Sequence, residues 1–250
     1  MALDVSSRLD RERSFFDGLP EGGRKATAKY YSITRSSTEA YETLLGTLAS
    51  GARVMEIGCG MGETAIRLAR QATSVDAIDL SEARIAAARI SAASTKSPNV
   101  EFHVMNAESL SFDDGEFDLV CGQAILHHLD VRQTLSEVAR TLKPSGHAVF
   151  IEPLGHNPVI NLYRKLTPNM RTPDEHPLLL GDAVVGRQYF EHVDARFFHL
   201  TSFAALPFVH LPWFDRLVAR LDAFDRRLLD SGGAAARLAW RVLIHLHTPR

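Results

Sequence analysis

Three glycines alternate at positions 58, 60 and 62, directly after the apolar run Arg53-Val54-Met55-Glu56-Ile57. Without a Cβ, each lets the backbone turn sharply and lets a ligand lie on the main chain. Seventeen residues beyond Gly62 comes Asp79, at the end of a second apolar run, Ser74-Val75-Asp76-Ala77-Ile78. An acid at about that distance past a glycine turn meets the ribose hydroxyls of a nucleoside. The other reading of Asp79 is an acid that caps a strand end.

The glycine spacing narrows the nucleoside. A dinucleotide site needs G-x-G-x-x-G, with the pyrophosphate at the helix N-terminus. Here the run is Gly58-Cys59-Gly60-Met61-Gly62, and Glu63 follows. A carboxylate beside a pyrophosphate costs affinity. A ligand with adenosine, no phosphate and a positive centre fits better, and S-adenosylmethionine (SAM) is of that kind. Glu56 is then the anionic partner expected for its amino acid end.

Glu56-Ile57-Gly58-Cys59-Gly60-Met61-Gly62 resembles motif I of the class I SAM-dependent methyltransferases. Asp79 matches the acid after their second strand. Asn106-Ala107-Glu108 resembles the adenine loop after the third. The run from Asp118 to His128 resembles the fourth strand and following loop of the UbiE-like small-molecule subgroup. Leu142-Lys143-Pro144-Ser145-Gly146 resembles the turn into the fifth strand. These motifs stand in family order across 40–155. The family's adenine loop most often opens on Asp; Asn106 stands here, and its side-chain oxygen still accepts a hydrogen bond. The resemblance implies SAM as cofactor, S-adenosylhomocysteine as product and no metal ion. It implies a cofactor site of Glu56, Gly58, Cys59, Gly60, Gly62, Asp79, Leu80, Asn106, Ala107, Glu108 and Gln123.

The elements that must position these residues alternate. Strands are predicted at 53–57, 74–78, 100–104, 117–121 and 147–151. Helices are predicted at 63–72, 82–93 and 131–142, with Ser81 as an N-cap. Alternation of this kind gives an α/β fold: a Rossmann-like, mostly parallel sheet with helices on both faces. Strands at 194–200 and 238–246 complete seven, the last antiparallel as the family has it. A helix capped by Ser37 or Thr38 precedes the first strand, and 213–230 reads as an amphipathic helix. Asp10-Arg11-Glu12-Arg13 reads as a solvated helix face. The expected organisation is one methyltransferase domain over 1–250. It has a helical cap at 1–50, a SAM-binding core at 51–152, lid and substrate insertions at 153–236, and a last strand at 237–250. Five prolines between 153 and 181 mark the lid.

In an open parallel sheet, ligands bind at the carboxyl ends of the strands. His127 and His128 follow the fourth strand, where the methyl of such a cofactor points. Histidine is the side chain suited to taking a proton near neutrality. Either of the two is a base, or packs as an ordinary hydrogen-bonded histidine. Glu152 ends the fifth strand. It acts as a base, binds a substrate cation, or holds lid backbone. Tyr30, Tyr31, His176 and Phe208 are candidate substrate contacts, with core packing as the competing role. Arg171, Asp174 and Glu175 crowd the proline-rich segment and are mostly solvated. His245 and His247 share a strand face, but no third ligand is near in sequence.

A net charge of −2 gives no footprint for nucleic acid. The two cysteines, Cys59 and Cys121, are no disulfide framework and suit a reducing cytoplasm. No apolar run is long enough to span a bilayer. Residues 203–214 either line an apolar pocket, touch a membrane surface or pack on the sheet. Gln123-Ala124-Ile125-Leu126 stands where methyltransferases of adenine or glutamine amino groups carry a proline-rich loop. The expected activity is methyl transfer to O, N, S or C of a small, apolar metabolite. The alternatives are a non-catalytic SAM-binding module and a nicotinamide-dependent oxidoreductase. Oligomeric state is left open.

Overall fold

The computed structural model describes residues 5–18, 28–167, 176–230 and 233–250. Seven strands form one sheet: β1 (Arg53–Ile57), β2 (Ser74–Asp79), β3 (Val100–Val104), β4 (Phe117–Gln123), β5 (Leu142–Pro153), β6 (Phe190–Phe198) and β7 (Arg241–Pro249). Their order is β3-β2-β1-β4-β5-β7-β6. The first five are mutually parallel, and β7 runs antiparallel to both β5 and β6. The order reverses between β1 and β4, which opens a crevice at their carboxyl ends.

The helices are α1 (Val5–Asp17), α2 (Ala28–Tyr31), α3 (Arg35–Leu48), α4 (Glu63–Leu68), α5 (Glu82–Thr95), α6 (Val131–Thr141), α7 (Pro158–Leu166), α8 (Leu180–Val185) and α9 (Phe214–Leu229). Residues of α3, α4 and α5, among them Tyr41, Leu45, Leu68, Ile85 and Ala88, bury one sheet face. Leu135 and Val138 of α6 pack on the other with Met55, Ile57 and Phe150. A third cluster joins Ile33, Ile160, Phe203, Phe214 and Trp240 beyond the sheet end. The α/β architecture and the antiparallel last strand are as the sequence predicts.

Several boundaries differ for local reasons. Helix α4 ends at Leu68 because the chain tightens there: Arg70 and Gln71 donate to carbonyls three residues back. Strand β6 stops at Phe198 because His199 takes a left-handed backbone, with φ of 64°. Strand β7 starts three residues later than predicted, and Trp240 packs in the third cluster. Helix α3 begins at Arg35, so neither Ser37 nor Thr38 caps it.

Ser37 instead joins a buried polar network. Its hydroxyl accepts from His199 Nε2 at 2.8 Å and Arg241 Nη1 at 3.1 Å, and donates to the Thr34 carbonyl at 2.8 Å. His199 Nδ1 lies 3.4 Å from Asp222 Oδ1. The order Ser–His–Asp suggests a nucleophile, but the donor count forbids it. The one hydroxyl proton goes to Thr34, so His199 is a donor here and no base acts on Ser37. Asp225, 2% exposed, accepts from the N–H groups of Leu200, Thr201 and Ser202. The network fixes α9 to the end of β6.

Candidate functional site

The glycine turn is a backbone junction. Gly58, Gly60 and Gly62 all have positive φ, at 71°, 53° and 82°. Gly58 and Cys59 both donate to the Ile78 carbonyl, at 2.8 and 3.0 Å, which ties the turn to β2. Asp79 completes the tie: its carboxylate accepts from Gly60 N at 2.8 Å and from Ser81 N at 3.0 Å. Ser81 also caps α5 by accepting from Arg84 N.

A narrow pocket of about 60 Å³ opens beside this junction, at the carboxyl ends of β1 to β4. Six of the residues expected at the site line it: Gly58, Asp79, Leu80, Asn106, Ala107 and His128. Asn106 holds its loop by accepting from Glu108 N at 3.0 Å. The other expected residues stand elsewhere. Gly60 is in the turn but off the pocket wall. Gly62 is the N-cap of α4, and a Cβ there would meet the Phe102 ring at 2.8 Å, so its bareness serves packing. Cys59 is buried in the α3–α5 core, and Gln123 is exposed at the end of β4.

Glu108 does not face the pocket. It is 3% exposed, pairs with Arg8 of α1 and accepts from Asp130 N at 2.7 Å. Its place corrects the cofactor contact expected of it. Glu56 is corrected too. It is 4% exposed on the side of α3 and α4. Burial pushes its carboxyl up to about 8, against hydrogen bonds from Ala65 and Thr64 and the charge of Arg67. The expected anion is a neutral acid near pH 7.

A pH test follows. The unfolded chain releases the Glu56 proton near the ordinary value of 4.5, the folded chain near 8. Between those values the folded state holds more protons, so stability falls as pH rises. Glu56→Gln should flatten that decline, by on the order of a few kcal/mol. Urea midpoints at pH 5 and pH 8 measure it. An equal decline in both proteins would place the proton on another group.

The two histidine rings lie 4.2 Å apart but have different partners. His128 lines the pocket, with Nδ1 3.2 Å from Glu12 Oε2 and its ring edge-on to Phe16 at 5.3 Å. His127 is buried and held from the end of β5. Its Nδ1 lies 2.7 Å from Glu152 Oε2. The Oε1 atom of Glu152 accepts from the N–H groups of Ile125 and Leu126, at 2.8 and 3.0 Å. Glu152 is fully buried, and its oxygens already accept three hydrogen bonds. In this arrangement it positions the loop and His127. Ala124 carries a positive φ of 53° at the start of this loop, an uncommon conformation for a residue with a Cβ.

The expected substrate contacts are dispersed. Tyr30 packs on Tyr163 at 4.6 Å, and Tyr31 lies 6.0 Å from Trp240. Phe208 packs on Trp213 at 5.1 Å. His176 comes nearest to the histidine loop, donating its N–H to the His127 carbonyl. Arg171, Asp174 and Glu175 lie outside the described residues.

Sequence reasoning missed α1. Leu9, Glu12 and Phe16 line the pocket, and Glu12 is 4% exposed, not solvated. Their spacing of three and four residues puts them on one helix face. That periodicity was the available signal, and the charges at 10–13 masked it.

A family model described as a methyltransferase domain matches residues 54–146. The ubiquinone biosynthesis O-methyltransferase of Acinetobacter baumannii is 31% identical over 116 residues, which cover 46% of this chain and 48% of that protein. The chain thus spans about half the length of the curated relatives it matches. In fold, it is similar to phosphoethanolamine N-methyltransferase 2 of Haemonchus contortus, solved with S-adenosyl-L-methionine. That likeness has a TM-score of 0.65 at 17% identity, over 95% of this chain and 60% of that one. It is similar also to geranyl diphosphate C-methyltransferase of Streptomyces coelicolor A3(2), solved with Mg2+, geranyl diphosphate and S-adenosyl-L-homocysteine. There the TM-score is 0.65 at 14% identity, over 99% and 100% of the two chains. Residues 54–146 thus match a methyltransferase domain, and the sheet has the Rossmann-like fold of these solved methyltransferases. Among the described residues, no helix is long and apolar enough to cross a membrane.

Proposed function

We propose that the chain transfers a methyl group from SAM to an O, N, S or C atom of a small, largely apolar metabolite. The observation that carries this reading is the Gly60–Asp79 tie. It joins the Asp79 carboxylate to the bare backbone turn beside a pocket at the sheet's switch point that Gly58 and Asp79 both line. Asp79 would hold the ribose hydroxyls, and the Asn106–Ala107 loop the adenine. The names of the ubiquinone biosynthesis, phosphoethanolamine and geranyl diphosphate methyltransferases refer to small molecules, which supports a small acceptor.

SAM supplies an activated methyl group and its own leaving group. What the chain must do is align an acceptor in line with that methyl and, for a hydroxyl or amine, remove a proton. In this reading His127 takes the proton. With Nδ1–H donated to the Glu152 carboxylate, its Nε2 carries the lone pair. Glu152 thus sets the tautomer, while Ile125 and Leu126 hold the loop. His128 belongs instead to the cofactor pocket, beside Glu12. In this reading 51–152 binds cofactor, 1–50 caps it, and 153–236 shapes the acceptor site around Tyr30, Tyr31, His176 and Phe208.

Titration calorimetry with SAM and with NAD tests the cofactor. Asp79→Ala should weaken SAM binding about 10- to 150-fold, the scale of hydrogen bonds to a charged group. An unchanged dissociation constant would remove Asp79 from the site. Transfer of labelled methyl into a metabolite pool then separates an enzyme from a binding module.

A further inference from the structure

Four of the eleven histidines converge far from the cofactor pocket. His147 of β5, His247 of β7 and His192 of β6 stand side by side across three neighbouring strands. In the next row, Asp194 of β6 pairs with His245 of β7. Side chains alternate along a strand, so His245 and His247 share the face with His147, His192 and Asp194. The rings of His245 and His247 lie 5.0 Å apart, and His192 stacks on His247 at 4.5 Å. Ligating atoms of Asp194, His245 and His247 all fall within 4.8 Å of one another. His147 Nδ1 is hydrogen-bonded to His245 Nε2 at 3.0 Å. The cluster sits at the entering end of β5. Five residues separate His147 from Glu152, or about 17 Å of strand.

We propose that Asp194, His245 and His247 bind one late divalent transition-metal ion of the zinc type, with His147 as the outer partner that orients His245. Two imidazoles and one carboxylate are a donor set for zinc or its neighbours, and too poor in oxygen for calcium or magnesium. A tetrahedral ion with bonds of about 2.0–2.1 Å sets its ligands ~3.3 Å apart, within reach of small side-chain rotations here. A ligating imidazole commonly has its ring fixed by an outer hydrogen bond, the place His147 holds. Among the described residues the other such group, Asp76, Glu101 and His103, has Arg53 at 3.4 Å from Asp76, a cation that opposes another.

The ion would tie β6, the sheet's edge strand, to β7 through side chains as well as backbone. The third ligand comes from a strand some fifty residues earlier than His245, which is why sequence spacing hides the site.

The test uses the full chain without a histidine tag, stripped with EDTA and titrated with Co2+ and then Zn2+. One equivalent of Co2+ should bind, with the visible bands of a low-coordinate site, and Zn2+ should displace it. Zn2+ should raise Tm, reversibly with EDTA. His247→Asn, Asp194→Asn and His245→Asn should each weaken binding at least about 10-fold, and His147→Asn about 10- to 100-fold. Circular dichroism checks each fold. Should His245→Asn fail to fold, His247→Asn and the exposed Asp194→Asn carry the test. No saturable uptake up to about 100 µM metal, or undiminished affinity in folded His247→Asn and Asp194→Asn, would overturn the site.

Discussion

Replacing His127 with Ala should lower kcat about 10²–10⁴-fold and leave SAM affinity almost unchanged. The expectation rests on the different partners of the two histidines. His127 is held by Glu152 at the end of β5, and His128 meets the pocket beside Glu12 and Phe16. His128→Ala should therefore act mainly on SAM affinity. Glu152→Gln should lower kcat too, because an amide leaves the His127 tautomer unfixed while it still accepts from Ile125 or Leu126. Steady-state kinetics with labelled SAM, together with calorimetry, separates these effects. Normal kcat in both His127→Ala and Glu152→Gln would mean that alignment alone carries the reaction. That result would point to an acceptor already ionised at neutral pH, such as a thiolate or carboxylate.

The second large effect is expected at Gly60. Its φ of 53° suits glycine, and a Cβ there would meet only Arg84 Nη1, at 3.8 Å. Gly60→Val should thus fold, at a backbone cost of about 1–3 kcal/mol. It should lose SAM binding altogether, because the branched side chain and a shifted N–H break the tie to Asp79. Gly58→Val is a poor substitute, since its Cβ would sit 2.7 Å from the Ile125 side chain and damage the core. Full SAM affinity in folded Gly60→Val would show that the ligand does not lie on this turn.

Much of the sheet was legible because its signals are local. The runs at 53–57 and 74–79 are apolar, and glycine or a capping serine ends each. Gly58 and Asp79 followed from spacing along those strands, and Asn106 and Ala107 from the family resemblance. What the sequence hid depends on contacts between distant segments. Glu56 and Glu108 are both acids near strand ends, yet one keeps a proton under α4 and the other binds Arg8 of α1. No spacing rule distinguishes them from Asp79. Ser37 has the residue type of a cap, but His199 and Arg241, remote in sequence, draw it into the interior. The same limit applies to α1, whose charges suggest solvent until Glu12 is seen beside His128.

Helix α1 is fastened to four separate places around the pocket. Arg8 pairs with Glu108, Glu12 with His128, Arg13 donates to the Leu80 carbonyl at 3.4 Å, and Asp17 bonds Ser81. Those partners lie on the loops after β2, β3 and β4, so no single loop movement frees the helix. Any molecule as large as a nucleoside that enters or leaves must wait for several weak ties to let go together. Residence time and equilibrium affinity are then tuned by different residues. Loosening Arg8 would quicken exchange at both ends of a catalytic cycle, while the groups that recognise ribose and adenine stay in place. Where departure of spent cofactor limits turnover, a weakened fastening would make a faster catalyst.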